Sequence, residues 1–521
     1  MREKANKGKK GLFNLIFSRI FIFGMMILVQ IILMTQMFFN VTGYSHFFNT
    51  LIQIISVLLV ICIVSEQKTD PTTRLLWSIL ILVTPVFGTL LYLYVKIQFG
   101  SILIKKRIEE VYEITSGYLA PDREVFDTLK SDNEQVYALS KYLYNYTGFP
   151  IYKGNNVRYF SDGTQKLESL LADIKNAKSF IFLEYFIIEK GQVWNQILDA
   201  LIEKQKEGVE IRVMYDGMCS LIQLPVGYYK ELIKLGIQSK PFSPMRPFVT
   251  TSQNNRDHRK IIVIDGHIAY NGGINLADEY MNLKERFGYW KDTAVRIEGP
   301  AAKSFTLMFL RLWNIDSIKI EPFNKYLDFG IDTEKTNANA GYVAGFSDEP
   351  FDDENVGEQV YLHILNSAKK YVHIITPYLV IDNLTMSALK FAAKRGVDVK
   401  LVLPGIPDKK YAYCVARTYY EELIEAGVKI YEYTPGFTHA KMFISDDEIA
   451  TVGTINLDYR SLYLHFECAT VVCQNPSITE MENDFTQVIS ESKLVTMMEC
   501  RNRSMLYKFC GKLLRLIAPL L

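Results

Sequence analysis

Two short stretches of this 521-residue chain combine residue types suited to phosphoryl chemistry, and they do so at one spacing. The first runs from His258 and Lys260 through Asp265 and Gly272 to Asn275, the second from His439 and Lys441 through Asp446 and Gly453 to Asn456. In both, Lys follows His by two, Asp follows Lys by five, Gly follows Asp by seven and Asn follows Gly by three. An imidazole can attack phosphorus or carry a proton, a fixed ammonium can stabilise phosphate oxygens, and an Asn amide can donate to an anion. Two such sets packed face to face would hold one phosphodiester. One imidazole would attack to give a phosphohistidine while the other protonates the leaving alkoxide. With lysines and asparagines on the equatorial oxygens, this chemistry calls for no metal and no cofactor.

The elements that must position these residues are legible around them. Apolar, β-branched residues flank Asp265-Gly266, and Asp446-Asp447 has the same setting, so each motif reads as a hairpin with a two-residue turn. That register sets His258 opposite Gly273 and His439 opposite Thr454. Side chains two apart in a strand share a face, so each His points with its Lys, whereas the Asp lies roughly 16 Å further along. Asp265 and Asp446 are therefore expected to make turns rather than chemistry. Gly272 and Gly273 permit close approach of backbone or ligand. An acidic residue follows each Asn at the head of a strand-like run, Asp292 in the first copy and Glu467 in the second. A carboxylate on one ring nitrogen would fix the tautomer that exposes the other.

Both copies are preceded by the same alternation of helix and strand. In the first, Leu167 to Ala177 reads as a helix, Ser179 to Glu184 as a strand, Val193 to Gly208 as a helix and Glu210 to Asp216 as a strand. In the second, Val356 to Lys369, Tyr371 to Thr376, Leu384 to Arg395, Val397 to Leu403 and Tyr419 to Ala426 repeat the order and add a helix. This predicts α/β layers with strands buried on both faces, and two tandem halves forming a pseudo-dimer with the site at the seam. Glu184 and Tyr378 follow corresponding strands and should lie there too, as packing or as substrate contacts.

The repeat resembles the HxK(x4)D signature of the phospholipase D superfamily, which carries over His258, Lys260, Asp265, His439, Lys441 and Asp446 as the motif residues. Gly288 to Asp292, Glu298-Gly299-Pro300, Thr376-Pro377-Tyr378, Tyr433 to Phe437 and Asp458 to Glu467 are similar to stretches of bacterial cardiolipin synthases. The likeness covers nearly all of the chain after about residue 70. It implies a membrane-anchored phosphatidyltransferase acting on phosphatidylglycerol, with the first-half histidine as nucleophile and the catalytic part facing the cytoplasm. A phospholipase D hydrolase, or a relative using another alcohol acceptor, shares every motif.

Composition bounds the alternatives. A net charge of +1 gives no overall attraction to nucleic acid, which weighs against a nuclease. Seven cysteines without a CxxC pair, and histidines not combined with them at ligand spacing, suggest no zinc site. His267, His363 and His373 lack a Lys two residues on and read as structural. Intact His and Lys pairs disfavour a silent scaffold.

Outside the two halves the chain looks membrane-bound. After a basic segment, Met1 to Lys10, the stretches Ile20 to Phe39, Phe47 to Val64 and Leu75 to Val95 carry no charge and are about 18 residues or longer, enough to cross a bilayer. The first is too long for a cleaved signal peptide, and Pro85 and Gly88 allow a kinked or re-entrant third. The segment Pro71 to Tyr94 resembles the second membrane helix preceding cardiolipin synthase catalytic domains. Lys and Arg number six up to Arg19, none between Asn40 and His46, two between Ser65 and Arg74 and four from Lys96 to Arg107. For three full spans, the positive-inside rule puts the N-terminus inside and the catalytic part outside, opposite to what the resemblance implies. The expected layout is a membrane anchor of two to three transmembrane helices at 1–97, a polar helical neck at 98–153, the first half at 154–325, the second at 340–499 and a basic amphipathic helix at 500–521. In that last helix Lys508, Lys512 and Arg515 share one face and Leu506, Phe509, Leu513, Ile517 and Leu520 the other, as in a helix lying on an anionic membrane.

Overall fold

The computed structural model describes residues 24–28, 30–32, 35, 45–66, 71–96, 99–217, 222–242, 255–317, 319–328, 340–352 and 354–518. The basic segment at 1–10, most of Ile20 to Phe39, the Asn40 to His46 connection save its last two residues, Cys219 and Leu520 lie outside these. The chain divides into two compact units, one holding residues 1–106 and the other 107–244 with 255–518.

The larger unit contains the two predicted halves. The first is a seven-stranded sheet, and its strands in spatial order are Asn156–Phe160, Ala294–Glu298, Ile268–Gly272, Lys260–Ile264, Phe180–Tyr185, Glu210–Asp216 and Gln238–Phe242. The second half repeats this order as Tyr342–Asp348, Glu467–Cys473, Ile449–Gly453, Met442–Ser445, Tyr371–Ile375, Asp398–Pro404 and Lys429–Tyr433, with one short strand added at each edge. Central strands such as Phe180–Tyr185 are buried at every residue, which is why they read as unbroken apolar runs rather than alternating ones. The Ala302–Asn314 helix is buried almost all round. Its Phe309 stacks on Phe182 of the first sheet at 4.7 Å, and Phe305 fills the space over Gly345 of the second.

Each His-Lys motif enters a hairpin, but the connection is three residues long, not two. Ile264 pairs with Ile268 and Ser445 with Ile449, so the register moves by one and His258 no longer stands opposite Gly273, nor His439 opposite Thr454. Asp265 takes φ 50° and Gly266 71°, while Asp446 and Asp447 take 56° and 60°. Left-handed backbone of this kind is tolerated best by Gly, Asn and Asp, hence the composition of both turns. Asp265 accepts from the backbone N–H groups of Lys178, Ser179 and Phe180 at 2.7–2.9 Å. Asp446 accepts from those of Lys369, Lys370 and Tyr371 at 2.6–2.8 Å. Each Asp ties its turn to the start of the neighbouring strand.

In the smaller unit, the Ser45–Ser65 helix carries no Asp, Glu, Lys or Arg, and its continuous run of described side chains covers 50–65. The third apolar stretch is not one helix. It breaks at Thr84 into Pro71–Val83 and Pro85–Lys96. Among the described residues, no helix is long and apolar enough to cross a membrane.

At the C-terminus the Met505–Ile517 helix docks on the second half through the face expected to meet lipid headgroups. Gly511 lies against Thr418 and Cys414, Lys508 pairs with Glu421 at 2.9 Å, and Arg515 sits 4.0 Å over the Tyr419 ring. The opposite face, with Leu506, Phe509 and Leu513, is exposed.

Candidate active site

The seam is closed by two short backbone pairings, one on each side of a pseudo-twofold. The Gly436–Thr438 strand runs parallel to Tyr289–Lys291, so the His439 N–H donates to the Lys291 carbonyl at 2.7 Å. On the other side Asp257 pairs with Phe466, and the His258 N–H donates to the Phe466 carbonyl at 2.9 Å. Fully buried Arg259 fastens the halves from within, binding Glu349 at 2.8 Å and the Glu467 carbonyl at 3.3 Å. Lys291 does so from the other side through Asp484 at 2.6 Å.

These pairings cross the orienting carboxylates. His258 of the first half holds its Nδ1 against Glu467 of the second at 2.9–3.0 Å, and His439 of the second holds its Nδ1 against Asp292 of the first at 2.7 Å. Neither half contains a complete His–carboxylate pair. With Nδ1–H donated to a carboxylate, Nε2 of each ring keeps its lone pair. Both imidazoles are more than nine-tenths buried. Burial holds both below the ordinary histidine range, which keeps them neutral, and for His439 the ammonium of Lys441 adds to it.

The two carboxylates differ in their support. Burial works to raise Glu467, but His258 and then His465 carry it well below the ordinary carboxylate range. Thr454 and Ser461 also donate hydroxyl hydrogen bonds to it. Asp292 takes, besides His439, the backbone N–H of Thr293 at 2.8 Å, and burial pushes it up to about 6 against the pull of Lys441 and Lys260. The residue fifteen after each His accounts for part of the contrast. It is Thr454 in the second half, a donor to Glu467, and Gly273 in the first, where an added Cβ would lie 2.2 Å from Asp292 Oδ1. Gly272 and Gly453 likewise admit neighbouring backbone, at the strands beginning Ala294 and Glu467.

Lys260 and Lys441 each donate one hydrogen bond to the carbonyl of their own histidine, which leaves two of the three ammonium donors of each for a ligand. Burial lowers Lys260 to about 8 and Lys441 to about 7. The asparagines do not act as an equivalent pair. Asn275 is engaged at both ends of its amide, accepting from the Ile187 N–H at 3.0 Å and donating to Tyr280 Oη at 2.7 Å, so it braces the site rather than standing free as a donor. Asn456 leaves its Oδ1 buried without a partner.

Glu184 is fully buried beside Arg259 at 3.8 Å, and Tyr378 donates to Asp408 at 2.7 Å. Tyr378 is thus tied to protein, whereas among the described residues neither carboxylate oxygen of Glu184 has a hydrogen-bond partner. His373 is stacked between Tyr371 and Phe485 and bonded to Glu482, and His267 and His363 are engaged locally. Reasoning from the repeat missed Thr454, Ser461 and His465, which stand around Glu467, and the aromatic walls Phe186 against His258 and Tyr280 and Trp290 against His439. Aligning the copies position by position would have exposed Thr454 opposite Gly273. The walls carry no polar signal.

Tandem α/β halves with paired histidines and lysines at their seam define an enzyme of the phospholipase D class. The family "Cardiolipin synthase, PLD-like domain" matches residues 170–313 and 361–489, and "Phospholipase_D-nuclease N-terminal" matches 54–96. The chain belongs to the phospholipase D-like cardiolipin synthase family and is a phosphatidyltransferase. It is 33% identical to a cardiolipin synthase of Halalkalibacterium halodurans over 91% of this chain and 94% of that protein. It is also 48% identical to an uncharacterized protein of Streptococcus mutans over 89% of this chain and 99% of that one. The crystal structure of phosphatidylserine synthase from Haemophilus influenzae Rd KW20 is similar in fold, with a TM-score of 0.54 and 14% identity over 75% of this chain and 100% of that one.

Proposed function

We propose that this enzyme joins two phosphatidylglycerol molecules into cardiolipin and releases glycerol. The observation that carries this reading is the crossed pair of buried neutral imidazoles, each held by the other half's carboxylate beside a buried lysine. His258 Nε2 attacks the phosphorus of the first lipid, and the phosphorus–oxygen bond to the glycerol head breaks. With the phosphodiester anion bound, His439 takes up a proton at Nε2 while its Nδ1–H stays on Asp292, and it gives that Nε2 proton to the departing glycerol oxygen. His439 then removes a proton from the hydroxyl of a second phosphatidylglycerol, whose oxygen displaces His258. One ester is broken and one made, so the exchange needs no nucleotide. Lys260 and Lys441 face the charge on the transferring group. Glu467, kept ionised by several donors, suits an imidazole that must bear a covalent phosphoryl group. Asp292, titrating near neutrality, suits one that shuttles a proton.

Purified protein given phosphatidylglycerol alone should yield cardiolipin and glycerol in equal amounts, and EDTA should leave the rate unchanged. Phosphatidic acid as the main product would assign water as the acceptor. Loss of turnover to EDTA, restored by one particular divalent ion, would contradict a lysine-built site.

The titrating groups give this reaction a narrow pH range. Below about 6 Asp292 gains a proton and can no longer accept from His439, so the rate falls. Above about 7 to 8 Lys441 and then Lys260 lose theirs in the free enzyme, and the rate falls again. A plot of kcat/KM against pH should be bell-shaped between these limits. In kcat the alkaline limb should move upward, because bound phosphate holds protons on the lysines. A flat profile from pH 5 to 9 would contradict these assignments.

The exposed Leu506, Phe509 and Leu513 face of the C-terminal helix suits contact with the lipid surface that supplies the substrate. Phe509→Trp, compared with the unsubstituted protein in vesicles of brominated phosphatidylglycerol, should show added emission that the bromines quench. Unquenched added emission would count against this contact.

A further inference from the structure

The two helices formed from the third apolar stretch lie folded against each other. Trp77 and Tyr92 meet with ring centroids 5.3 Å apart, although fifteen residues of one straight helix would separate them by about 22 Å. At the bend a Cβ on Gly88 would lie 2.7 Å from the Leu80 carbonyl oxygen, so only glycine lets the arms approach this closely. Both open ends of the V are pinned at one level, the end of the Ser45–Ser65 helix. Arg74, at the start of the first arm, donates to the Val64 and Glu66 carbonyls at 2.9 and 2.7 Å. Lys96, at the end of the second, pairs with Glu66 at 3.0 Å.

Thr89, in the second arm past the bend at Thr84, meets Ser56 of the Ser45–Ser65 helix at 3.4 Å. The arms, of 13 and 12 helical residues, extend about 20 and 18 Å, well short of a hydrocarbon core of about 30 Å. Within hydrocarbon, the unpaired N–H groups that open the second arm need a protein acceptor. Gln30 provides one, its Oε1 accepting from Val86 and Phe87 at 3.1 Å each. No charged residue occurs from Leu75 to Val95, and Leu75, Ile79, Leu82, Leu90 and Leu93 are exposed along the arms.

We infer that residues 71–96 form a re-entrant hairpin that penetrates the bilayer part-way and returns to the side it came from. This resolves the conflict between charge distribution and family resemblance. With Ile20 to Phe39 and Phe47 to Val64 as crossings and the hairpin as none, the Lys- and Arg-bearing segments before Arg19, around Arg74 and from Lys96 to Arg107 all fall on one side. The uncharged Asn40 to His46 connection falls on the other, as the positive-inside rule requires. Lys105, Lys106 and Arg107 leave no apolar run after Lys96 for another crossing, so the chain enters its catalytic unit on the cytoplasmic side.

The inference rests on the membrane reading of the N-terminal segments but not on the choice of acceptor. It is tested in sealed membrane vesicles of known orientation. The full chain, with Cys62, Cys219 and Cys510 replaced by Ser, carries one new cysteine at Thr72, Val83 or Glu109 and is treated with a membrane-impermeant maleimide. Thr72→Cys and Glu109→Cys should react from the same, cytoplasmic face, and Val83→Cys from neither face until detergent is added. Labelling of Thr72→Cys and Glu109→Cys from opposite faces would overturn the hairpin and restore a full crossing. Recovery of the protein in the soluble fraction would overturn the membrane reading itself, whatever its products. Trypsin applied to the unsubstituted chain serves as a second measurement, since cleavage at Lys68 and at Lys106 should occur from one face only.

Discussion

Lys441→Ala should lower turnover by about two to three orders of magnitude while the protein melts at nearly its normal temperature. The ammonium is buried at the seam, keeps two donors for the transferring phosphate, and acts where solvent cannot replace it. Removal of one such preorganised donor or charge typically costs about 10²–10³ in kcat. A second effect distinguishes this from simple misfolding. Lys441 is the strongest of the groups that hold Asp292 down, so its loss should move the acid limb of the rate profile upward from about 6. Asp446→Asn should behave in the opposite way. Its carboxylate binds three backbone N–H groups at the hairpin turn, so the substitution should cost about 1–3 kcal/mol of stability and leave the turnover of the folded fraction close to normal. Equal losses of turnover at unchanged melting temperature in both variants would remove the distinction between the motif's chemical and structural members.

The same comparison shows what the sequence reveals and what it conceals. Hydrophobic runs place most central elements within a residue or two, although the helix read from Leu167 begins at Gly163. The strand read at Tyr371 to Thr376 is Tyr371–Ile375, and the helix read at Leu384 to Arg395 is Asn383–Lys394. These elements are legible because burial on both faces leaves a continuous apolar signal that local propensity does not contradict. The turn length was misread because Asp265-Gly266 satisfies a two-residue turn as well as a three-residue one, and only the partner strand decides between Ile264 facing His267 or Ile268. Spacing also identified Asp292 and Glu467 as orienting carboxylates but carried no information on which histidine each would meet. That depends on how the halves pack, a long-range property of Phe466 and Lys291 backbone pairing. Asn275 looked like an anion donor because its partners, Ile187 and Tyr280, leave no pattern in the sequence. In the third apolar stretch, composition could not distinguish a span from a hairpin. The glycine that permits the fold, Gly88, is informative only once Leu80 is seen beside it.

The largest effects should come from the two histidines, and they should differ in kind. Either substitution by Asn should cut turnover by at least about four orders of magnitude, as expected when one member of a nucleophile–base set is removed. The covalent state should separate them. His439→Asn keeps His258 with its Glu467 partner intact, so attack can proceed with slow departure of glycerol, but resolution by an incoming hydroxyl lacks its base. His258→Asn has no nucleophile at that position, and His439 stands over Asp292, a carboxylate that titrates near neutrality. The direct measurement is to incubate both variants and the unsubstituted enzyme with phosphatidylglycerol labelled in its acyl chains, quench rapidly in alkali, and locate the label by peptide mass spectrometry. An acid-labile phosphatidyl group is expected on His258 in His439→Asn, a smaller transient amount on His258 in the unsubstituted enzyme, and none in His258→Asn. Label on His439 in His258→Asn would reverse the two roles, and no label in any of the three would contradict a phosphohistidine route and favour direct transfer between lipids.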